Sequence, residues 1–549
     1  GATLRPEEAE DPVGTVAGDL DPGAGRLVAA LVRPGRLLVV AHHLVVDAVS
    51  WQVIAEDLEA VHAGRTPAPE QTSLRRWAQL LDAAVADGSF DADARASRPV
   101  LPGTDTPLAD GGAAAGPLDA TVADERQTVH EASAATTSAL LEDVPRAFRT
   151  GADAVLVTAL AVALARWRAA STPDPDAEPQ TWSLIEREGH GRETRFVPGP
   201  GGREADLSRT VGWFTSLYPV VVDPGAVVGA RGAEGAGTDA PEDAGVDAPE
   251  GRGVDARAIA RAVSQVKDAL AAVPGHGVPY QAVSALDPAA PRPPQPQVLF
   301  NFLGRVEAGT GDAAADTTGG ADASGAGAGG AAADTAGGAA GDAAGGTTGG
   351  AAGDTAGGAR MFRAVGPTGQ LGERRDPGQA LPRELEFNAV AEPAPAPATG
   401  SATATAAGGT GGTGEPGEAG ASGGYVLRTT VSWVDGRIAD DRIDLLLRLW
   451  DEALREVAAV ADHATLSPGD VHPAPVTQAD LEDLASPGLV DVLPLTPLQH
   501  GMYFHSVFDD SPSTYVEQQI IHLGPDAAPG SAPGSASDSA SDSAPAGDT

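Results

Sequence analysis

Apolar residues along this chain follow two periods. In "GRLVAALV" and "RLLVVAHH", Gly25–Val32 and Arg36–His43, apolar runs flank the tight turn "RPG", which reads as two strands joined as a hairpin. Beyond them, Ile54, Leu58 and Val61 recur at helical spacing, and Ser50 is placed to cap that helix. "LRRWAQLLDAAVAD" from Leu74 predicts a second helix. "GADAVLVTALAVALARWRAA" from Gly151 is apolar nearly all round, which predicts a helix buried between layers. "TWSLIERE" from Thr181 reads as a strand that becomes charged at its end. "PQVLFNFLG" from Pro296 and "YVLRTTVSWV" from Tyr425 are further strands, and "RIDLLLRLWDEALREVAAVA" from Arg442 is a helix. The alternation predicts a mixed α/β architecture.

Other stretches have no such pattern. Val306 and Met361 bound a segment without one large hydrophobe. Within it "GGAAGDAAGGTT", Gly337–Thr348, recurs nearly intact as "GGAAGDTAGGAR". So little apolar area cannot offset the entropy of ordering, so insertions at about 223–255, 307–360 and 392–424, and the tail 524–549, are expected to be disordered. The apolar share of 42% is swollen by alanine. The chain starts at Gly1 and ends in Ser/Ala/Asp repeats, and so reads as a piece of something longer.

Charge narrows the partners. There are 76 acidic and 36 basic residues, a net charge of −40, which disfavours nucleic acid and anionic membranes. No uninterrupted apolar run is long enough to span a bilayer, and no secretory signal is visible. Cysteine is absent, so disulfides and thiolate chemistry are excluded; this fits a cytoplasmic setting. Lys267, the single lysine, precedes Asp268, so no P-loop exists. Gly409, Gly411 and Gly414 match GxGxxG only inside a glycine tract with no strand before it.

The candidate chemistry starts in "VVAHHLVVDAVSWQVI", Val39–Ile54, where His42, His43 and Asp47 sit among valines and leucines. At the end of a strand, the two histidines should point to opposite faces. A core histidine and a catalytic base are both compatible with this stretch alone. A metal site is discounted, because adjacent histidines on a strand diverge and no third ligand lies at a familiar spacing.

Four blocks in order then change the picture: "HHLVVDAVSW", "REGHGRE" (Arg187–Glu193), "SRTVGWFTSLYPV" (Ser208–Val220) and "VLFNFLGR" (Val298–Arg305). Over about residues 10–465 they resemble the epimerization domain of nonribosomal peptide synthetases, a branch of the condensation-domain superfamily. The SW dipeptide and the EGHGR block set this pattern apart from sister condensation domains. The resemblance implies an α/β fold of two chloramphenicol-acetyltransferase-like lobes facing a central tunnel. It implies a partial N-terminal lobe at 1–140 and a C-terminal lobe at 141–470. Only 41 residues precede the HH pair, fewer than the family usually has, so the first lobe is expected to be incomplete. After a linker, 471–490, "DVLPLTPLQHGMYFHSVF" opens a segment, 491–523, that resembles the start of a truncated condensation domain. His500 and His505 in it are read as structural.

The resemblance implies L-to-D inversion at the Cα of an aminoacyl or peptidyl thioester. The substrate arrives on the 4′-phosphopantetheine arm of an upstream peptidyl carrier protein, beside neighbouring synthetase domains, and no cofactor binds directly. His43 and Glu188 are the implied catalytic pair, expected to face one cavity. The residue types suit that chemistry. One group removes the Cα proton, the thioester carbonyl carries the charge as an enolate, and a second group protonates the other face. Histidine titrates near neutrality, whereas glutamate must be raised by burial to act as an acid there. His42, Asp47, Trp51, His190 and Arg192 are read as supporting, with Asp47 held by an arginine. Asn301, Tyr218 and Arg209 are assigned to the tunnel; Phe302 stands where the family often has tyrosine. Two alternatives remain from the residues: a peptide-bond-forming condensation domain, and a non-catalytic platform that docks a carrier protein.

Overall fold

The computed structural model describes residues 4–5, 12–33, 36–110, 118–171, 179–197, 205–228, 255–291, 294–305, 375–394, 424–471, 474–484, 489 and 491–508. The expected glycine-rich insertions, nearly complete, and the tail lie outside them. The chain divides into two compact units, Gly1–His472 with Val476–Asp491, and Pro473–Pro475 with Val492–Thr549. In the second unit a helix spans Pro497–Phe508.

Among the described residues of the first unit, nine strands form two sheets. β1 (Leu4–Arg5), β2 (Val28–Arg33) and β3 (Arg36–Ala41) make the smaller one, with β2 and β3 as the expected antiparallel hairpin. The larger contains β4 (Glu125–Glu131), β5 (Ser183–Gly189), β6 (Ser216–Val222), β7 (Val298–Arg305), β8 (Leu385–Pro393) and β9 (Tyr425–Val434). Their spatial order is β4-β9-β8-β7-β5-β6, with parallel pairing at β5–β7 and β7–β8. The larger sheet therefore begins upstream of residue 140, where the sequence suggested a lobe boundary.

One face of this sheet carries the core. Ile185, Val220, Phe300, Phe387 and Val431 pack against the helices Ala152–Ser171, Ala256–Ala271 and Asp440–Ala458. Side chains alternate along a strand, so Glu186, Glu188, Leu299, Asn301, Glu386 and Asn388 stand on the other face. The helix Ala152–Ser171 is long and apolar enough to cross a membrane by length and composition, but most of it is buried in this core. Its burial on all sides explains its lack of a polar stripe. Lys267 is structural: it donates to the Phe148 carbonyl and pairs with Asp470.

Two local expectations need correction. Strand β3 stops at Ala41, and His43–Val45 form a 3-10 turn capped by His42, whose Nδ1 accepts from the Leu44 amide at 3.2 Å. The histidines therefore leave the strand rather than alternate across it, and neither enters the core. Asp47, not Ser50, caps the helix Ala48–His62: its carboxylate accepts from the Ser50 amide at 2.7 Å. The reach from cap to third residue is what a short acidic side chain supplies.

Candidate active site

The site starts with a buried junction that ties three sequence blocks together. Asp47 is 6% exposed. Arg192 Nη2 donates to its Oδ1 and Oδ2 at 2.9 and 3.0 Å. Nη1 of the same guanidinium donates to the carbonyls of Leu207 and Thr210. The Phe214 amide donates to Asp47, and the guanidinium lies over the Phe214 ring, 4.0 Å from its centroid. Ser50, fully buried, accepts from the Gly212 amide at 3.0 Å and lies 2.7 Å from Asp47 Oδ1. Arg192 is thus the arginine partner expected for Asp47. Such a pair persists in a dry setting because nearly every lone pair and N–H is used. Trp51, partly buried, continues the helix, its amide bonded to the Asp47 carbonyl.

This junction sets the two candidate acid/base groups. His43 follows the capped turn, and its Nδ1 lies 2.8 Å from the Val46 carbonyl. A carbonyl only accepts, so Nδ1 carries the proton and Nε2 of the neutral ring keeps a free lone pair. The ring is exposed and stands 5.7 Å from that of Trp213, in the "GWF" block.

Glu188 lies on β5, on the face away from the core. Arg187, one residue earlier, points the other way: it is buried, donates to the Phe300 carbonyl and pairs with Asp153. Burial pushes the Glu188 carboxyl up to about 7. Arg187 opposes that shift, Glu386 and Glu186 add to it, and His43 lowers it, so the His43 charge is felt at Glu188. Asn301 Nδ2 donates to Glu188 Oε2 at 2.8 Å. The amide donor of Asn301 is therefore given to the glutamate, a contact the sequence did not indicate.

Two residues assigned to the tunnel are otherwise engaged. Arg209 bonds Glu56 and Asp57 on the helix Ala48–His62 and acts as a brace. Tyr218, 4% exposed, belongs to the main apolar core, and burial raises its hydroxyl to about 12. A Cβ on Gly277, at φ +76°, would come within 2.3 Å of the Tyr218 side chain, so that loop tolerates no larger residue.

His190 shapes the turn after β5: its Nδ1 accepts from the Arg192 amide at 3.0 Å. Its Nε2 lies 3.2 Å from Glu193, which also meets His276 Nδ1 at 2.5 Å. Hydrogen bonds from His190 and His276 hold the Glu193 carboxyl well below the usual range. Sequence reading missed this trio because its third member is remote in the chain. Its potential ligand atoms lie within 4.8 Å of one another. However, the Arg192 amide makes His190 Nδ1 an acceptor, which leaves the proton of a neutral ring on Nε2, facing Glu193. A cation would need that lone pair. The trio suits a carboxylate bridging two imidazole N–H groups. Gly191 keeps the turn close: a Cβ there would lie 1.6 Å from the Phe214 carbonyl oxygen.

Comparison with known proteins bears on the family and the fold. Residues 33–284 match the family described as Condensation domain. Chondramide synthase cmdD of Chondromyces crocatus is 33% identical over 297 residues, 51% of this chain and 6% of that protein. Tyrocidine synthase 2 of Brevibacillus parabrevis is 29% identical over 288 residues, 50% of this chain and 7% of the relative. The chain thus spans a small fraction of the length of these synthases. The crystal structure of the epimerization domain from the third module of tyrocidine synthetase B shares the fold. Its TM-score is 0.50 at 20% identity, covering 84% of this chain and 80% of that one. Residues 33–284 thus resemble the Condensation domain family, and the chain shares the fold of that epimerization-domain structure.

Proposed function

We propose that this chain inverts the Cα of an aminoacyl or peptidyl thioester, from L to D, on the phosphopantetheine arm of an upstream carrier protein within a peptide synthetase. The observation that carries this reading is the pairing of His43, with an open Nε2, and Glu188, a carboxyl raised to about 7. The Glu188 carboxyl can change protonation near neutrality, and the His43 charge is felt at it. One of them takes the Cα proton. The electron pair moves onto the thioester oxygen, and the other group returns a proton to the opposite carbon face as the carbonyl reforms. No electrons are exchanged with another molecule, so no redox partner is needed. Asn301 holds the Glu188 carboxyl in place, while the Asp47–Arg192 junction fixes the turn bearing His43. His42, Asp47, Trp51, His190 and Arg192 serve as supports.

The match of residues 33–284 to the Condensation domain family favours a second reading, peptide-bond formation by His43. That reaction gives no role to a glutamate raised to about 7. The test is an L-aminoacyl carrier protein incubated in heavy water, with the released amino acid analysed for chirality and for deuterium at Cα. D-product carrying deuterium supports epimerization. A dipeptide from two loaded carriers, without deuterium uptake, would establish condensation instead. Carrier binding without either product would reduce the chain to a docking platform.

A further inference from the structure

The face of the large sheet opposite the main core carries a row of side chains fixed by strand register. Leu217 on β6 is paired with Glu188 on β5. Asn301 on β7 bonds Glu188 and is in register with Asn388 on β8. Asn388 is in register with Thr430 on β9, and Thr430 with Val129 on β4. Adjacent strands lie about 4.8 Å apart, so the polar stretch from Glu188 through Asn301 and Asn388 to Thr430 covers roughly 15 Å.

Asparagine is depleted in strands, because its side chain competes with the ladder. Two of them in register on neighbouring interior strands, both partly buried, break the local rule, and such breaks cluster at functional positions. Their bonding differs. Asn301 spends a donor on Glu188. Asn388 has no side-chain hydrogen bond among the described residues, so its carbonyl and both N–H groups remain available. Thr430 beside it is 7% exposed. The setting also selects a charge type. Glu186, Glu188 and Glu386 stand on the same face, and burial pushes Glu386 up as it does Glu188. Arg383 is paired with Glu186, and Arg375 and Arg383 lie near Glu386, so the charges on this face have partners of their own. A neutral group with both an N–H and a C=O suits such a setting.

We propose that Asn388 is a substrate-positioning residue that hydrogen-bonds an amide of the thioester-bearing chain, one residue width beyond Asn301 and two beyond Glu188. This rests on the epimerization reading and names what that site recognises next to the reacting carbon. A secondary amide matches the free carbonyl and N–H of Asn388 in a paired contact. It has two sources, the pantetheine arm and the peptide behind the reacting residue.

The test uses the full chain and its Asn388→Ala, Asn388→Asp and Asn301→Ala variants, with thermal unfolding to confirm that each folds. A non-reactive thioether analogue of aminoacyl-pantetheine and one of dipeptidyl-cysteamine are titrated by calorimetry. Epimerization is then followed on the matching thioesters and on aminoacyl-cysteamine, the shortest substrate. Asn388→Ala should weaken binding and lower kcat/KM about three- to tenfold for one of the two longer ligands, the amount one neutral hydrogen bond supplies. The effect on aminoacyl-cysteamine should stay below about twofold. Asn388→Asp keeps the size and an acceptor but loses the donors and adds charge, so it should not rescue. Loss confined to the pantetheine ligand identifies the arm, and loss confined to the dipeptidyl ligand identifies the peptide. Equal loss on all three ligands, or none, overturns the inference. Wild-type protein that binds the analogues but does not invert Cα would sink the epimerization reading alone, because the Asn388 effect on binding would still be read. Wild-type protein that binds neither analogue overturns both.

Discussion

Asp47 and Glu188 are both carboxylates within motif blocks, yet their surroundings are opposite. Asp47 is met by a guanidinium, a hydroxyl and two backbone amides. Glu188 is met by one neutral amide and other carboxylates, with its nearest arginine turned to the far side of the sheet. A carboxylate with a full set of donors serves as a fastener. One left short of donors in a partly dry place becomes able to take and give a proton near neutrality. Motif membership does not separate these roles; the local supply of donors does.

That contrast can be broken at either end. The largest expected effect is on catalysis. Glu188→Gln keeps the size and hydrogen-bonding reach but cannot exchange a proton, so the rate of Cα inversion should fall by about 10²–10⁴. His43→Ala should cost a similar amount, and the double variant little more, since both serve one cycle. Deuterium uptake without inversion in the Glu188 variant would show His43 working one face alone. Undiminished D-product would remove Glu188 from the reaction.

Next in size is the fastener. Asp47→Ala strands the buried Arg192 charge, and Arg192→Ala strands Asp47. Either should cost about 3–5 kcal/mol in urea unfolding. A cost under about 1 kcal/mol would mean the junction is solvated, and the contrast with Glu188 would collapse.

The third effect has a definite sign with pH. Between 4.5 and about 7 the folded chain keeps the Glu188 proton that the unfolded chain has released. Folding stability attributable to this group therefore falls as pH rises through that window. Glu188→Gln should match wild type in melting temperature at pH 4.5 and exceed it by a few degrees at pH 8, a rise on the order of 2–4 °C. The pH profile of wild-type kcat/KM should carry a limb near 7 that the variant lacks.

The smallest effect has the opposite sign. Glu193 is depressed in the folded state, so its contribution is present above the unfolded carboxylate value of 4.5 and declines as pH falls below it. The melting difference between wild type and Glu193→Gln should thus be largest near neutrality and shrink in acid. A difference independent of pH would show that the two histidines do not depend on the glutamate charge.

Much of this was legible in the chain. The hairpin before His42, the helix at Ala152–Ser171 and the strands carrying Glu188 and Asn301 follow from apolar periodicity, because burial on one face or all round leaves its own period. The four motif blocks pointed to the superfamily, and the residue types of His43 and Glu188 pointed to proton transfer. The departures are equally specific. His42 caps a turn instead of entering a strand, and Asp47 takes the capping place expected of Ser50. Asn301 bonds Glu188, Arg209 braces a helix, and Tyr218 fills core. The first two are local caps; the last three depend on which partner arrives from a remote segment, and spacing along the chain carries no record of that.

The sequence by itself determined several of the strands and helices and which residue types are available for proton transfer, since periodicity and residue type are local properties. Only the tertiary structure decided which carboxylate is neutralised and which is left to titrate. It joined Arg192 to Asp47 across 145 positions and Asn301 to Glu188 across 113. It placed Asn388 in register beside Asn301 through a parallel pairing. A pKa and a hydrogen-bond partner are set by distances of a few ångströms in space, and those distances exist only once the chain is folded.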